Sequence, residues 1–208
     1  MSRNQVFTPF LLLCVLSVSA GCNFSAENED KSRVPNTHTM ETPQDSSSSS
    51  YKIYPFPVGD NFVAISPLPG KENLEEDVKM LKDQNITAVV SLVSKEELKE
   101  KGLTNFFEVF ESHGIEVYHS PIVDYGLPEQ SQMDSILNYV QSQLDSGENV
   151  LVHCMGGYGR SGTVMGSYAN AILGVDDPIE YVRETRGQDA IETKEQEEFV
   201  RSYTNLVK

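Results

Sequence analysis

The chain has 208 residues, 38% of them hydrophobic, enough for one ordinary globular domain plus extensions. Its formal net charge of −15 argues against a nucleic-acid binder and against docking by charge on anionic headgroups, since both need a broad positive face. Any affinity for an anion must therefore be built locally.

In chain order, Arg3 precedes an apolar run from Phe10 to Val18, followed by Ser19-Ala20-Gly21-Cys22. A charged start, a short apolar centre and small residues predict a secretory signal over residues 1–22. The run is too short to cross a bilayer, which needs about 20 residues. The residues before Cys22 also resemble a bacterial lipobox, which would make Cys22 a lipidation site. Ser19 departs from the usual leucine, which leaves plain cleavage after Ala20 open. Residues 23–50 are polar and end in five serines, too few apolar groups to offset ordering entropy, so they predict a flexible tether. The expected product is exported: anchored through Cys22 on the extracytoplasmic side of a bacterial membrane, or else secreted.

The remaining residues, 51–208, carry the domain. Phe62–Ile65 predicts a strand closed by Pro67 and Pro69-Gly70. Leu74, Val78 and Leu81 fall at helical spacing and predict a helix over 72–84. The β-branched run 86–93 predicts a strand buried on both faces. Helices are predicted over 95–101 and 105–113, and a strand over 115–123. Ser131 is placed to cap a helix reaching Ser146, with Met133, Ile136, Leu137, Val140 and Leu144 inward. A strand at 149–152, a helix over 161–173, a helix opened by Asp176-Asp177-Pro178 and a last one opened by Thr193 complete the pattern. Alternation of this kind predicts a single α/β domain with a central, mainly parallel sheet flanked by helices. Ligands of such sheets bind beyond the carboxyl ends of the strands.

At that end lies His153-Cys154-Met155-Gly156-Gly157-Tyr158-Gly159-Arg160-Ser161-Gly162-Thr163. A thiol follows a buried strand, and a glycine-rich loop opens a helix. Amides of such a loop converge on an anion, the helix dipole adds positive potential, and the same field favours a thiolate. Arg160 adds a planar fork that suits two phosphate oxygens. Nucleophile and phosphate cradle share one loop, which points to phosphoester hydrolysis.

This segment resembles the phosphate-binding loop of the cysteine-dependent protein tyrosine and dual-specificity phosphatases: His-Cys, five residues, Arg, then Ser or Thr. Gly156-Gly157 and Gly159-Arg160-Ser161 are most similar to the cyclin-dependent-kinase-associated phosphatase branch. The resemblance implies a dual-specificity-phosphatase-like fold and a cysteinyl-phosphate intermediate. It further implies Cys154 as nucleophile, with Met155, Gly156, Gly157, Tyr158, Gly159 and Arg160 binding phosphate and Ser161 assisting thiolate departure. Asp124, in a turn-rich loop after a predicted strand, is the candidate general acid, Gly126 and Pro128 matching the family's loop; the alternative is a plain turn residue. Glu129 and Asp134 are fallback donors. His153, on the opposite strand parity, is expected to orient the loop from behind. Gln196 either positions water, as in some phosphatases, or closes a capping box with Thr193.

Of three cysteines, Cys14 leaves with the signal and Cys22 is the lipid candidate, so Cys154 is the only thiol left to the domain. In an oxidising compartment it would be vulnerable. Neither a cofactor nor a metal is expected, because the histidines show no ligand spacing. No lysine falls between Met155 and Gly159, which disfavours polyanionic lipid headgroups. The expected substrate is a phosphorylated protein, the alternative an inositol phosphate or other small phosphoester. A third possibility is a catalytically inactive phosphate-binding module. No nucleic-acid partner is expected, membrane association only through Cys22, and a monomer.

Overall fold

The computed structural model describes residues 50–204. The predicted signal, Cys22 and the tether up to residue 49 lie outside the described residues, as do 205–208. Strands β1 (Tyr54–Val58), β2 (Asn61–Ser66), β3 (Ile86–Ser91), β4 (Glu116–His119) and β5 (Asn149–His153) form one sheet in the order β1-β2-β5-β3-β4. Only β1 is antiparallel to its neighbour; β2, β5, β3 and β4 pair in parallel. Helices α1 (Leu74–Asp83), α2 (Lys95–Glu100) and α3 (Phe106–Ser112) precede β4. Helix α4 (Gln130–Asp145) leads into β5, and α5 (Gly159–Tyr168), α6 (Pro178–Arg186) and α7 (Lys194–Ser202) follow it.

Side chains of the buried strands alternate between two cores, as the period of a strand requires. On one face Val63, Ile65, Val90, Val150, Val152 and Cys154 join residues of α4, α5, α6 and α7. On the other, Ala64, Val89 and Leu151 meet Val78 and Leu81 of α1, together with Phe106 and Phe110 of α3. Both faces of β5 are therefore covered, which explains its unbroken apolar run and places Cys154 at the carboxyl end of the central strand. Emptying one such site, Leu151→Ala for instance, belongs to a class of change that costs about 2–5 kcal/mol.

Four local differences from the predicted elements have plain causes. Strand β1 has no counterpart among the predicted elements, and it contains Pro55 and Pro57, which a central strand would not tolerate. It is an edge strand, and two prolines of one parity are tolerated there because residues turned from the single neighbour need no N–H. The predicted strand 115–123 pairs as a sheet only over Glu116–His119. Beyond it, single bonds from the amides of Ser120 and Ile122 to the carbonyls of Ser91 and Leu92 keep the chain beside β3. Ser131 does not cap α4: the helix begins at Gln130 with Glu129 at the cap position and no side-chain cap bond. Its entry is held instead by Gln132, whose amide donates to Ser120 Oγ and the Pro121 carbonyl. Helix α5 starts at Gly159, two residues before the predicted start, and passes into a π-helical turn at Ala169–Leu173 that Gly174 ends in the left-handed region.

Candidate active site

The loop joining β5 to α5 curls around the thiol of Cys154, which is 3% exposed. The Gly157 amide donates to Cys154 Sγ at 3.2 Å, and Ser161 Oγ lies 3.4 Å from the same sulfur. Ser161 is in the first turn of α5, so the thiol faces the positive end of that helix. Gly157 sits at φ 73°, and a Cβ there would overlap the Ser66–Pro67 backbone at the end of β2. Gly159 is constrained differently, since a Cβ would run into the side chains of Glu192 and Gln196. Two of the loop's glycines are thus there because neighbouring segments press against it.

His153 lies on the far side of the strand, fully buried, with its ring centroid 5.5 Å from that of Phe106. Its Nδ1 is 3.4 Å from the Cys154 carbonyl oxygen, so the tautomer that makes this bond carries its proton on Nδ1. Burial pulls the imidazole pKa down to about 4; the bond to the Cys154 carbonyl opposes this, and the fields of Arg160 and His119 add to it. The ring is neutral at physiological pH and touches the loop from behind.

Arg160 is buried, and its guanidinium is heavily partnered. Its Nη1 donates to the carbonyls of Ile122 at 3.0 Å and Leu92 at 3.4 Å and to Glu97 Oε2 at 3.1 Å. Its Nη2 donates to Glu97 Oε1 at 2.9 Å and lies 3.0 Å from Asp124 Oδ1. Burial works against the charge, but the Glu97 bond and the fields of Cys154, Glu97 and Asp124 outweigh it and raise the Arg160 pKa. Glu97 takes the end-on edge of the fork. Among the described residues Nε makes no hydrogen bond, so the Nε–Nη2 edge, with Asp124 at its Nη2 corner, is the part of the fork that keeps a donor for an oxyanion.

Asp124 has a side chain 56% exposed and sits in a tight turn, in which the Gly126 amide donates to the Val123 carbonyl at 2.8 Å. Tyr125 occupies φ 57°, rare for a bulky residue. The fold thus brings together Cys154, Ser161, Arg160, Asp124 and loop residues Met155–Gly159. Asp134 stands apart, accepting from the Tyr203 hydroxyl at 2.6 Å, and Glu129 occupies the α4 cap position. Gln196 closes the capping box with Thr193 and also donates from Nε2 to the Gly126 carbonyl at 3.3 Å, tying α7 to the Asp124 turn.

Two site residues escaped the sequence reading. Glu97 carried a signal, for Ser94 and Glu97 have the spacing of a capping box, which the structure forms. Nothing in that spacing shows that the same carboxylate also reaches Arg160. Arg186, the last residue of α6, donates from Nε to the Gly157 carbonyl at 2.8 Å and from Nη2 to the Gly156 carbonyl at 3.1 Å. No local pattern marks it, because its contact spans about thirty residues of chain.

A thiol and an arginine fork on one strand–loop–helix turn, with a carboxylate opposite, define the class as an α/β phosphatase. The family model described as a polymorphic toxin system DSP-PTPase phosphatase matches residues 66–171, and the chain belongs to this family of cysteine-dependent dual-specificity and tyrosine phosphatases. An uncharacterized protein of Methanocaldococcus jannaschii is 43% identical over 107 residues, 51% of this chain and 72% of that one. Cyclin-dependent kinase inhibitor 3 of Rattus norvegicus is 26% identical over 176 residues, 78% of this chain and 83% of its own. The crystal structure of Tk-PTP in the active form superposes with a TM-score of 0.58 at 34% identity, covering 68% of this chain and 90% of that one. The protein is a protein-tyrosine/dual-specificity phosphatase.

Proposed function

We propose that the enzyme hydrolyses phosphoesters in two displacements on Cys154. The substrate phosphate enters on the Nε–Nη2 edge of Arg160 and on the amides of Met155 to Arg160, displacing the Asp124 carboxylate from Nη2. The Cys154 thiolate attacks phosphorus: the S–P bond forms, the P–O bond to the leaving group breaks, and Asp124 delivers the proton that this oxygen takes up. Charge gathering on the equatorial oxygens is met by the amides and Arg160, which are oriented before the reaction begins. Water then attacks the cysteinyl phosphate and gives a proton to Asp124; the S–P bond breaks, and the Ser161 hydroxyl donates to the departing thiolate. The observation that carries this reading is the convergence of the Gly157 amide and Ser161 Oγ on one sulfur beside an arginine shared with Asp124.

The substrate proposed is a phosphorylated protein. Asp124 must reach the leaving oxygen, so whatever that oxygen is attached to lies against the residues on either side of Asp124. Those are Val123, Tyr125 and Leu127, exposed by 80%, 63% and 42%. An apolar rim suits an aryl ring or a peptide better than a polyhydroxylated polyanion. A panel of phosphopeptides and inositol phosphates tests this, and preference for the latter overturns it. For the chemistry, Cys154→Ser is expected to abolish turnover of an aryl phosphate. Asp124→Asn should slow poor leaving groups far more than good ones; equal losses remove Asp124 from the acid role. A wild-type protein that binds vanadate without turning over any phosphoester would instead be a binding module.

The export reading is likewise a proposal, supported by Arg3, the apolar run and the small residues before Cys22. Cys22→Ser is expected to move the protein from the membrane to the soluble fraction; unchanged fractionation rejects the anchor.

A further inference from the structure

A loop of amides binds an anion only if its peptide planes are all turned one way. In a trans peptide the carbonyl of one residue and the N–H of the next point in opposite directions, so drawing a carbonyl outward turns the following N–H inward. Four successive carbonyls of the loop are drawn outward here. That of Met155 accepts from the Leu68 amide at 3.1 Å, and that of Tyr158 accepts from the amides of Gly162 at 3.1 Å and Ile191 at 3.2 Å. The two between them, Gly156 and Gly157, are held by a side chain, the guanidinium of Arg186, at 3.1 and 2.8 Å. These are also the positions at which the backbone is least restrained by its own side chains, because glycine lacks the Cβ that penalises a flipped peptide.

Arg186 is built to stay where it is. It is 7% exposed, and its guanidinium carbon lies 3.4 Å from the ring centroid of Tyr158 and 4.2 Å from that of Tyr54. One ring belongs to the loop, the other to edge strand β1. Stacking of this kind favours the planar fork over an ammonium. As the last residue of α6, it also meets the negative end of that helix.

We propose that Arg186 is the positioning residue of the phosphate loop: it clamps the Gly156–Gly157 and Gly157–Tyr158 peptides so that the amides of Gly157 and Tyr158 face the anion. It touches neither substrate nor sulfur and acts through the two peptides it holds. The Gly157 amide is the one that donates to Cys154 Sγ, so the clamp reaches both the anion site and the reactivity of the thiol. The inference rests on the phosphate-site reading of the loop given above.

The test compares the full-length protein with Arg186→Met, which keeps an apolar stem between the two rings, and Arg186→Lys, which keeps the charge but cannot hold both carbonyls as a fork. Inhibition by inorganic phosphate, alkylation of Cys154 by iodoacetamide at pH 7 (followed on the Cys154 peptide by mass spectrometry) and the thermal midpoint are measured on each. Arg186→Met is expected to weaken phosphate inhibition about tenfold, the equivalent of one well-placed hydrogen bond, and to slow alkylation several-fold, with Arg186→Lys between. Phosphate affinity and alkylation at wild-type values, with only a lowered thermal midpoint, would mean that Arg186 merely packs, and would overturn the clamp. If Arg186→Met does not fold, the same two readings on Arg186→Lys decide. A wild-type protein with no turnover and no phosphate affinity removes the phosphatase reading and the clamp together. Normal wild-type turnover with indifferent Arg186 variants removes the clamp alone.

Discussion

At the scale of single residues, Glu97 and His153 show how far charge and burial shape the site. Burial pushes the Glu97 carboxyl up, but bonds from the Arg160 guanidinium and the Ser94 amide outweigh it and hold its pKa below the ordinary glutamate value. A depressed pKa contributes stability that is fully present above the unfolded value of about 4.3 and is lost as pH falls through the folded one. Removing the carboxylate leaves the buried Arg160 cation short of a partner, so Glu97→Gln at pH 7 is expected to cost about 2 kcal/mol and to weaken inorganic phosphate inhibition. Denaturant unfolding and inhibition kinetics check both; a variant matching wild type in both shows the pair to be idle. His153 acts in a different window. The unfolded imidazole takes up a proton near pH 6.5 and the folded one only near 4, so stability is full above about 6.5 and declines as pH falls towards 4. His153→Gln is expected to flatten that part of the stability profile, and a variant with the wild-type slope refutes it. That Cys154, Arg160 and Asp124 meet was legible because a short loop or a motif carries each, whereas the contact of Glu97 was not, because its partner lies 63 positions away.

At the scale of elements, the helix entries read most directly from the chain. Asp177 accepts from the amides of Ile179 and Glu180 with Pro178 in the first turn, and Thr193 and Gln196 form their box. Capping is local chemistry, so local sequence predicts it. Asp177→Ala is expected to lower unfolding free energy by about 1 kcal/mol and to leave aryl phosphate turnover unchanged, since the cap is at the opposite end of α6 from Arg186; thermal melts and kinetics check it. An unaltered melt would show that packing of α6, through Ile179 and Val182, carries the helix without its cap. The elements that misread did so for reasons outside their own residues. Strand β1 depends on being an edge, and α4 begins where Gln132 is anchored on the chain after β4.

At the scale of the whole molecule, an acidic protein binds an anion. The net charge of −15 repels anionic substrates at long range, while in the proposed mechanism the loop amides, Arg160 and the dipole of α5 attract them at contact. Salt screens the first more than the second, so kcat/KM for acidic phosphopeptides is expected to rise between low and physiological ionic strength. A fall across that range would mean that exposed cations steer the substrate. The chain by itself determined the class of fold, through alternating strands and helices, and the class of chemistry, through one contiguous loop whose function depends on neighbours in sequence. Only the tertiary structure decided how that loop is held. The carboxylate on Arg160 and the clamp of Arg186 come from other elements, and contacts across thirty to sixty positions leave no periodicity to read. Spacing encodes what adjacent residues do together; packing decides which distant residues join them.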